Sequence, residues 1–293
     1  MIPAKGDGVV IQGITGRQGS YWTERMLACG TNIVAGVSPS KAGEKVCGIP
    51  VYSSVGEALS YHKATISVLF TPPLATRGAA MDALDGGIEG LVLLSEFVPV
   101  HDTMWILAEA AQRSAQVLGP NTAGLVVPGQ CSLGIMPGFA PNIFQPGNVA
   151  VVSRSGSLGT LVCLDLVASG LGESVFMGLG GDPIVGTTTA QALLELEADP
   201  KTSAVVVVGE VGGTMEEDAA EVVASMSKPV VGFIAGRTAP PGRKMGHAGA
   251  IVSGNRGDPG SKVKALEQAG AHVVGVPSAI PAALIEIMPA LAS

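Results

Sequence analysis

The stretch Val9 to Gly19, VVIQGITGRQG, sets an aliphatic run against a glycine-punctuated turn and then polar residues able to open a helix. A buried strand that enters a helix through Gly13, Gly16 and Gly19 is a β-turn-α unit. Its glycines permit the tight turn and let an anion approach the free amides and positive dipole of the helix start. The design recurs at Val149 to Gly159, VAVVSRSGSLG, near the beginning of the second half.

Working outward from the first unit, VVIQG, NIVAGV, TISVLF, GLVLLS and AQVLGP read as five strands. Helices such as 75–84 and 103–114 separate them, and this alternation predicts a parallel, doubly wound sheet. From 126 to 147 the pattern breaks into VVPGQCSLGIMPGFAPNIFQPG, rich in Pro and Gly, which marks a connection. Alternation restarts with NVAVVS, SVFMGL, SAVVVVGE and PVVGFIAG. A Gly/Pro/basic loop over 236–260, a helix, a strand near His272 and a terminal helix follow. The expected organisation is an α/β chain with domains over 1–126 and 148–293 and a linker over 127–147.

Composition agrees with that class. Of 293 residues 47% are hydrophobic, only 4% are aromatic and 41 are glycine, which suits buried parallel strands between small-residue helices. A formal charge of −7 with 14% charged residues argues against a nucleic-acid surface. No run of about 18 apolar residues offers a membrane span, and the N-terminal residues lack a signal-peptide pattern. Cys29, Cys47, Cys131 and Cys163 form no C-x-x-C pair, so a reducing, cytoplasmic setting is expected.

The first glycine loop departs from G-x-G-x-x-G, and the second strand ends in GVSPSKAG, without the acidic residue that holds the ribose of NAD. Lys41 stands there instead. A cation favours a ligand with an extra phosphate, such as CoA or NADP, although a solvated loop lysine reads equally well. In the second loop Ser153, Ser155 and Ser157 join a helix start that can cradle a phosphoryl group; taken alone, such serines are ordinary caps.

One histidine stands apart from the other three. In KMGHAGAI, Lys244 to Ile251, His247 lies between small residues, and Gly246 and Gly249 leave space for a phosphate on the ring. Glu210 ends the run SAVVVVGE at the carboxyl edge of a parallel strand, where it can hold the other ring nitrogen. His62, His101 and His272 read as ordinary histidines. No G-x-x-x-x-G-K-[ST] loop and no carboxylate cluster for nucleotide and Mg²⁺ appear, so a nucleotide that phosphorylates His247 is expected on another subunit.

With these residues in hand, the chain resembles the α subunit of succinyl-CoA synthetase and the related ADP-forming acid-CoA ligases, nearly end to end. GITGRQG, GPNTAG, GIMPG, VVSRSGSLG, GLGGDPI, GEVGG, KPVVGFIAG and GHAGAI carry the resemblance in order and spacing. It implies a Rossmann-like CoA-binding domain followed by a flavodoxin-like ligase domain. It also implies a β subunit whose ATP-grasp domain binds ATP or GTP with Mg²⁺. By matching positions, Thr15, Gly16, Arg17, Gln18, Lys41 and the segment Leu94, Ser95, Glu96 would contact CoA. His247 would be phosphorylated, Glu210 would be its partner, and Ser153, Ser155 and Gly156 would cradle the phosphohistidine.

Departures fall on the substrate side. SRSGSLGTLV stands where succinate-using members commonly read SRSGTLTYE, placing Thr160 and Leu161 where tyrosine and an acid are usual. Phe97 replaces a glycine of TEGIP, and Thr122 and Ala123 alter GPNCPG. Thr160 gives room or a hydroxyl to another head group, such as malate or a sulfonated acid like sulfoacetate. Two other functions compete with the ligase α subunit: a non-catalytic CoA-binding regulatory subunit, suggested by those departures, and an NADP-dependent dehydrogenase, suggested by the first loop and Lys41.

Overall fold

A computed structural model of the protein describes residues 1–236, 246–250 and 257–288. Lys244, Met245 and Ile251 of the histidine motif, and most of the loop around it, lie outside the described residues. The chain divides into two compact units, Met1–Phe139 with Ile184–Gly186, and Ala140–Pro183 with Thr187–Ser293.

The first unit runs β1 (Val9–Gln12), α1 (Arg17–Ala28), β2 (Ile33–Val37), β3 (Lys45–Val46), β4 (Ile49–Tyr52), α2 (Val55–Leu59), β5 (Ile66–Leu69), α3 (Pro73–Asp85), β6 (Gly90–Leu93), α4 (Val100–Gln112), β7 (Gln116–Leu118), β8 (Gly124–Val127) and β9 (Cys131–Gly134). Strands lie in the order β3-β4-β2-β1-β5-β6-β7, all parallel except the β3–β4 pair. Counting the parallel strands alone, this is the doubly wound dinucleotide-fold order, reversing direction at β1. Every residue of β1, β5 and β6 is buried, because helices cover both faces of such a sheet. The one polar member of β1, Gln12, is satisfied by Ser67 Oγ at 3.1 Å and the Ala79 carbonyl at 2.9 Å.

The opening glycines have distinct causes. Gly13 sits at φ +75°, and a Cβ on Gly19 would lie 2.2 Å from the Gly13 carbonyl oxygen, so the helix can start this close to the strand only without a side chain there. The short pieces β3, β4 and α2 and the antiparallel β8–β9 hairpin were not assigned from sequence. β3 has only two residues and α2 five, β4 is interrupted by Pro50, and β9 sits among prolines and glycines that mask a strand. The hairpin occupies part of the stretch read as a connection. It packs on α1, with Thr31 Oγ1 donating to the Ser132 carbonyl at 2.8 Å.

The second unit runs β10 (Pro146–Ser153), α5 (Gly156–Ala168), β11 (Glu173–Gly178), α6 (Thr189–Ala198), β12 (Ala204–Glu210), α7 (Met215–Val223), β13 (Val230–Ala235), α8 (Pro259–Gln268), β14 (His272–Val273) and α9 (Ile280–Ile287). Its parallel strands lie in the order β14-β13-β12-β10-β11, the flavodoxin-like order read from the far edge. Both units therefore have the expected α/β class. β12, AVVVVGE, is buried throughout; each valine contributes about 1.5–3 kcal/mol by leaving water. Winding reverses between β10 and β12, where Ser153 pairs in register with Val208, and this opens a crevice beyond their carboxyl ends. Among the described residues no helix is long and apolar enough to cross a membrane.

At the opposite edge of this sheet a carboxyl is buried at the start of β11. Desolvation pushes Glu173 from an ordinary 4.5 up to about 8, against partial relief from hydrogen bonds that include the Gln145 amide at 3.1 Å. Burial also raises the neighbouring Cys163 thiol. An acid raised in the folded state is protonated there while the unfolded chain ionises. Its stabilisation is therefore complete below about pH 4.5 and is lost as pH rises toward 8. Glu173→Gln keeps an oxygen for the Gln145 amide and removes the ionisation. The expected result in thermal unfolding is a melting temperature higher than the parent by about 3–6 °C at pH 8 and nearly equal at about pH 5.

Candidate active site

The crevice of the second unit gathers residues from four places in the chain. Glu210 closes β12 with its side chain only 10% exposed, and Oε2 lies 2.7 Å from Nδ1 of His247. The imidazole is 28% exposed. Glu210 Oε1 lies 3.3 Å from Arg154 Nη2, an ion-pair contact off the line of a hydrogen bond. Arg154 follows β10 directly, is almost wholly buried, and donates from Nη1 to the Gly212 carbonyl at 3.2 Å. A carboxylate oxygen at hydrogen-bond distance from Nδ1 favours the ring tautomer that carries its proton there.

The glycines of GHAGAI answer to contacts the sequence could not display. Gly246 stands at φ +83° with open space where a side chain would go. At Gly249 a Cβ would lie 2.8 Å from Arg154 Nη2. The turn is pinned by Gly249 donating to the Gly181 carbonyl at 3.0 Å and Ala250 to the His247 carbonyl at 3.2 Å. Gly181, from GLGGDPI, is the floor of the ring, since a Cβ on it would sit 2.3 Å from His247 Cγ.

Beside the pair, α5 begins at Gly156 with Ser155 as its cap, accepting from the Leu158 amide at 3.4 Å. Ser153 is buried and turns its hydroxyl to the Ser155 carbonyl at 2.7 Å, so it shapes the turn. Ser155 and Ser157 hydroxyls lie 3.3 Å apart. Thr160, one turn into α5, donates to the Gly156 carbonyl at 2.8 Å.

In the first unit, Gln18, Leu94, Ser95 and Glu96 line one cleft of about 390 Å³ together with Thr71 and Ile135. A neighbouring cavity of about 540 Å³ is bounded by Gly13, Ser38, Ser54 and Asp82. Thr15 Oγ1 donates to Ser38 Oγ at 2.9 Å at its rim. Gly16 caps α1 without any side-chain cap bond, so the amides that follow are presented as the glycine loop implies. Arg17 is exposed, and Lys41, half exposed, pairs only loosely with Glu44 at 3.9 Å. Of the other histidines, His62 bonds the Tyr52 hydroxyl at 2.8 Å, and His101 and His272 are exposed.

Arg154, Gly181, Gly212, Glu216 and Lys262 were not singled out from sequence. A charged residue between a buried strand and a helix cap was the available signal for Arg154. For Lys262 it was a lysine on the buried stripe of α8, one turn before Leu266.

The chain is similar to known proteins over nearly its whole length. A CoA binding domain matches residues 5–97 and a CoA-ligase domain matches residues 152–272. The ADP-forming succinate–CoA ligase subunit alpha 2 of Archaeoglobus fulgidus is 50% identical over 280 residues, 96% of each chain. This chain belongs to the succinate–CoA ligase α-subunit family. An ADP-forming sulfoacetate–CoA ligase subunit of Bilophila wadsworthia is 43% identical over 282 residues, again 96% of each. Among solved structures, ATP citrate lyase of Methanosaeta concilii superposes with a TM-score of 0.90 over 99% of this chain at 23% identity, a likeness of fold. The family member described here spans about half of that chain, 51%.

Gly181→Ala tests the floor beneath the ring. It is expected to destabilise the protein by about 1–3 kcal/mol in urea unfolding, as overpacking does. It should also remove the downfield Nδ1–H resonance of His247 that the Glu210 contact produces.

Proposed function

We propose that this chain is the α subunit of an ADP- or GDP-forming acid–CoA ligase, which joins a small carboxylic acid to the CoA thiol with cleavage of ATP or GTP. The observation that carries it is the 2.7 Å contact of His247 Nδ1 with Glu210 beside the start of α5. Near-end-to-end similarity to ADP-forming ligase subunits supports it.

In this reading Glu210 accepts the Nδ1–H, leaving the lone pair on Nε2 as nucleophile. Nε2 attacks the terminal phosphorus, the bond to the bridging oxygen breaks, and the nucleoside diphosphate leaves with those electrons. Glu210 then stabilises the imidazolium, while the amides after Ser155 face the phosphoryl oxygens. An oxygen of the acid's carboxylate next attacks phosphorus, the P–N bond electrons return to Nε2, and an acyl phosphate forms. The CoA thiolate attacks the acyl carbon and inorganic phosphate departs. Each transfer is easier than direct condensation.

Gln18, Leu94, Ser95 and Glu96 hold CoA in their cleft, with Thr15, Gly16 and Arg17 at its phosphates. Lys41 exchanges its loose partner Glu44 for a ligand phosphate. Among the described residues no three His, Cys, Asp or Glu side chains converge to hold a metal. Similarity to alpha subunits supports a β partner, and in this reading its ATP-grasp domain holds the nucleotide and Mg²⁺. Thr160 faces the acid, and similarity to both succinate and sulfoacetate ligase subunits supports a short acid with a second anionic group.

With its β partner and γ-³²P nucleotide, the chain is expected to acquire acid-labile label on His247. His247→Ala should abolish labelling and acyl-CoA formation while the CoA dissociation constant stays within about twofold; an unlabelled parent protein would refute the reading. Lys41→Glu should weaken CoA by roughly tenfold, about the worth of a charge-assisted contact, and leave 3′-dephospho-CoA nearly unchanged in calorimetric titration.

A further inference from the structure

Behind Glu210 lies a second charged group that the proposed reaction does not use. Lys262 of α8 and Glu216 of α7 are completely buried and form an ion pair, and Glu217 Oε2 lies 3.5 Å from the same ammonium. Lys262 Nζ also donates to the Gly212 carbonyl at 3.0 Å, the oxygen that accepts Arg154 Nη1 at 3.2 Å. The other Glu216 oxygen, Oε1, accepts the Glu210 backbone amide at 3.3 Å. Two cations thus converge on one carbonyl in the turn after β12, where Gly212 and Gly213 both have positive φ, at +88° and +63°. A Cβ on Gly209 would lie 2.7 Å from Glu216, so no slack exists between this pair and the strand end.

A buried ion pair is seldom more stabilising than apolar residues of the same shape; what it adds is direction. This one touches Glu210 through its amide and Arg154 through a shared acceptor. From these contacts we infer that Lys262 and Glu216 are positioning residues that aim the Glu210 carboxylate at His247 and thereby select the ring tautomer. The inference rests on the reading of His247 as the phosphoryl carrier only for its kinetic consequence.

The test uses the full chain labelled with ¹⁵N-histidine, the His247 signals being assigned by their loss in His247→Ala. Glu216→Met/Lys262→Met replaces both charges by apolar chains of similar length. Glu216→Leu removes the acceptor while Lys262 keeps Glu217, and it decides the matter if the double variant does not fold. Imidazole ¹⁵N shifts should move from Nδ1–H in the parent to a mixture of tautomers in both variants. Phosphorylation with the β partner should slow by at least about tenfold, as small misplacements do. Melting temperatures should stay within about 5 °C of the parent. A folded variant of either kind with the parent's tautomer and rate overturns the inference. If the tautomer shifts but the parent itself takes no phosphoryl group, the proposed reaction fails and the positioning role stands.

Discussion

The 2.7 Å contact between His247 Nδ1 and Glu210 Oε2 constrains the whole crevice of the second unit. A carboxylate at the end of a fully buried strand is costly to desolvate unless cations or donors meet it. Arg154 meets it, with its Nη2 lying where a Cβ on Gly249 would come within 2.8 Å. The ring can lie against the carboxylate only because Gly181 has no side chain. The small residues of two motifs far apart in sequence are therefore consequences of one buried charge arrangement.

Both units place a helix start at the reversal point of a parallel sheet, yet they finish it differently. α1 begins at Gly16 with no side chain over its amides, whereas α5 begins under Ser155, whose hydroxyl occupies the Leu158 amide. An open start suits a ligand that brings its own phosphates. A capped start suits a group that arrives and leaves, since the serine satisfies the helix in the interval. In the proposed function these become the CoA and phosphohistidine sites.

Much of this was legible in the chain. The apolar runs of β1, β2, β5, β6, β10, β11, β12 and β13 stood out because both faces of a parallel sheet are covered, and Glu210 followed from its place at a strand end. That place made it the candidate partner of His247, and the resemblance in GHAGAI and GEVGG gave the same pairing. Of the pieces that escaped, β3 has two residues, α2 five, β4 carries Pro50, and β9 lies inside the Pro- and Gly-rich stretch that reads as a connection. The approach of Arg154 to Gly249 had no signal along the chain, because the two lie 95 residues apart.

What the sequence alone determined, then, is the α/β class, the two glycine openings and the family, because hydrophobic alternation and ordered motifs are properties of neighbours along the chain. The tertiary structure decided which charges face one another. Arg154, Glu210, Gly212, Glu216 and Lys262 come from separate elements, and only the folded sheet with its turns brings their atoms within the 3–4 Å over which a buried charge finds its partner.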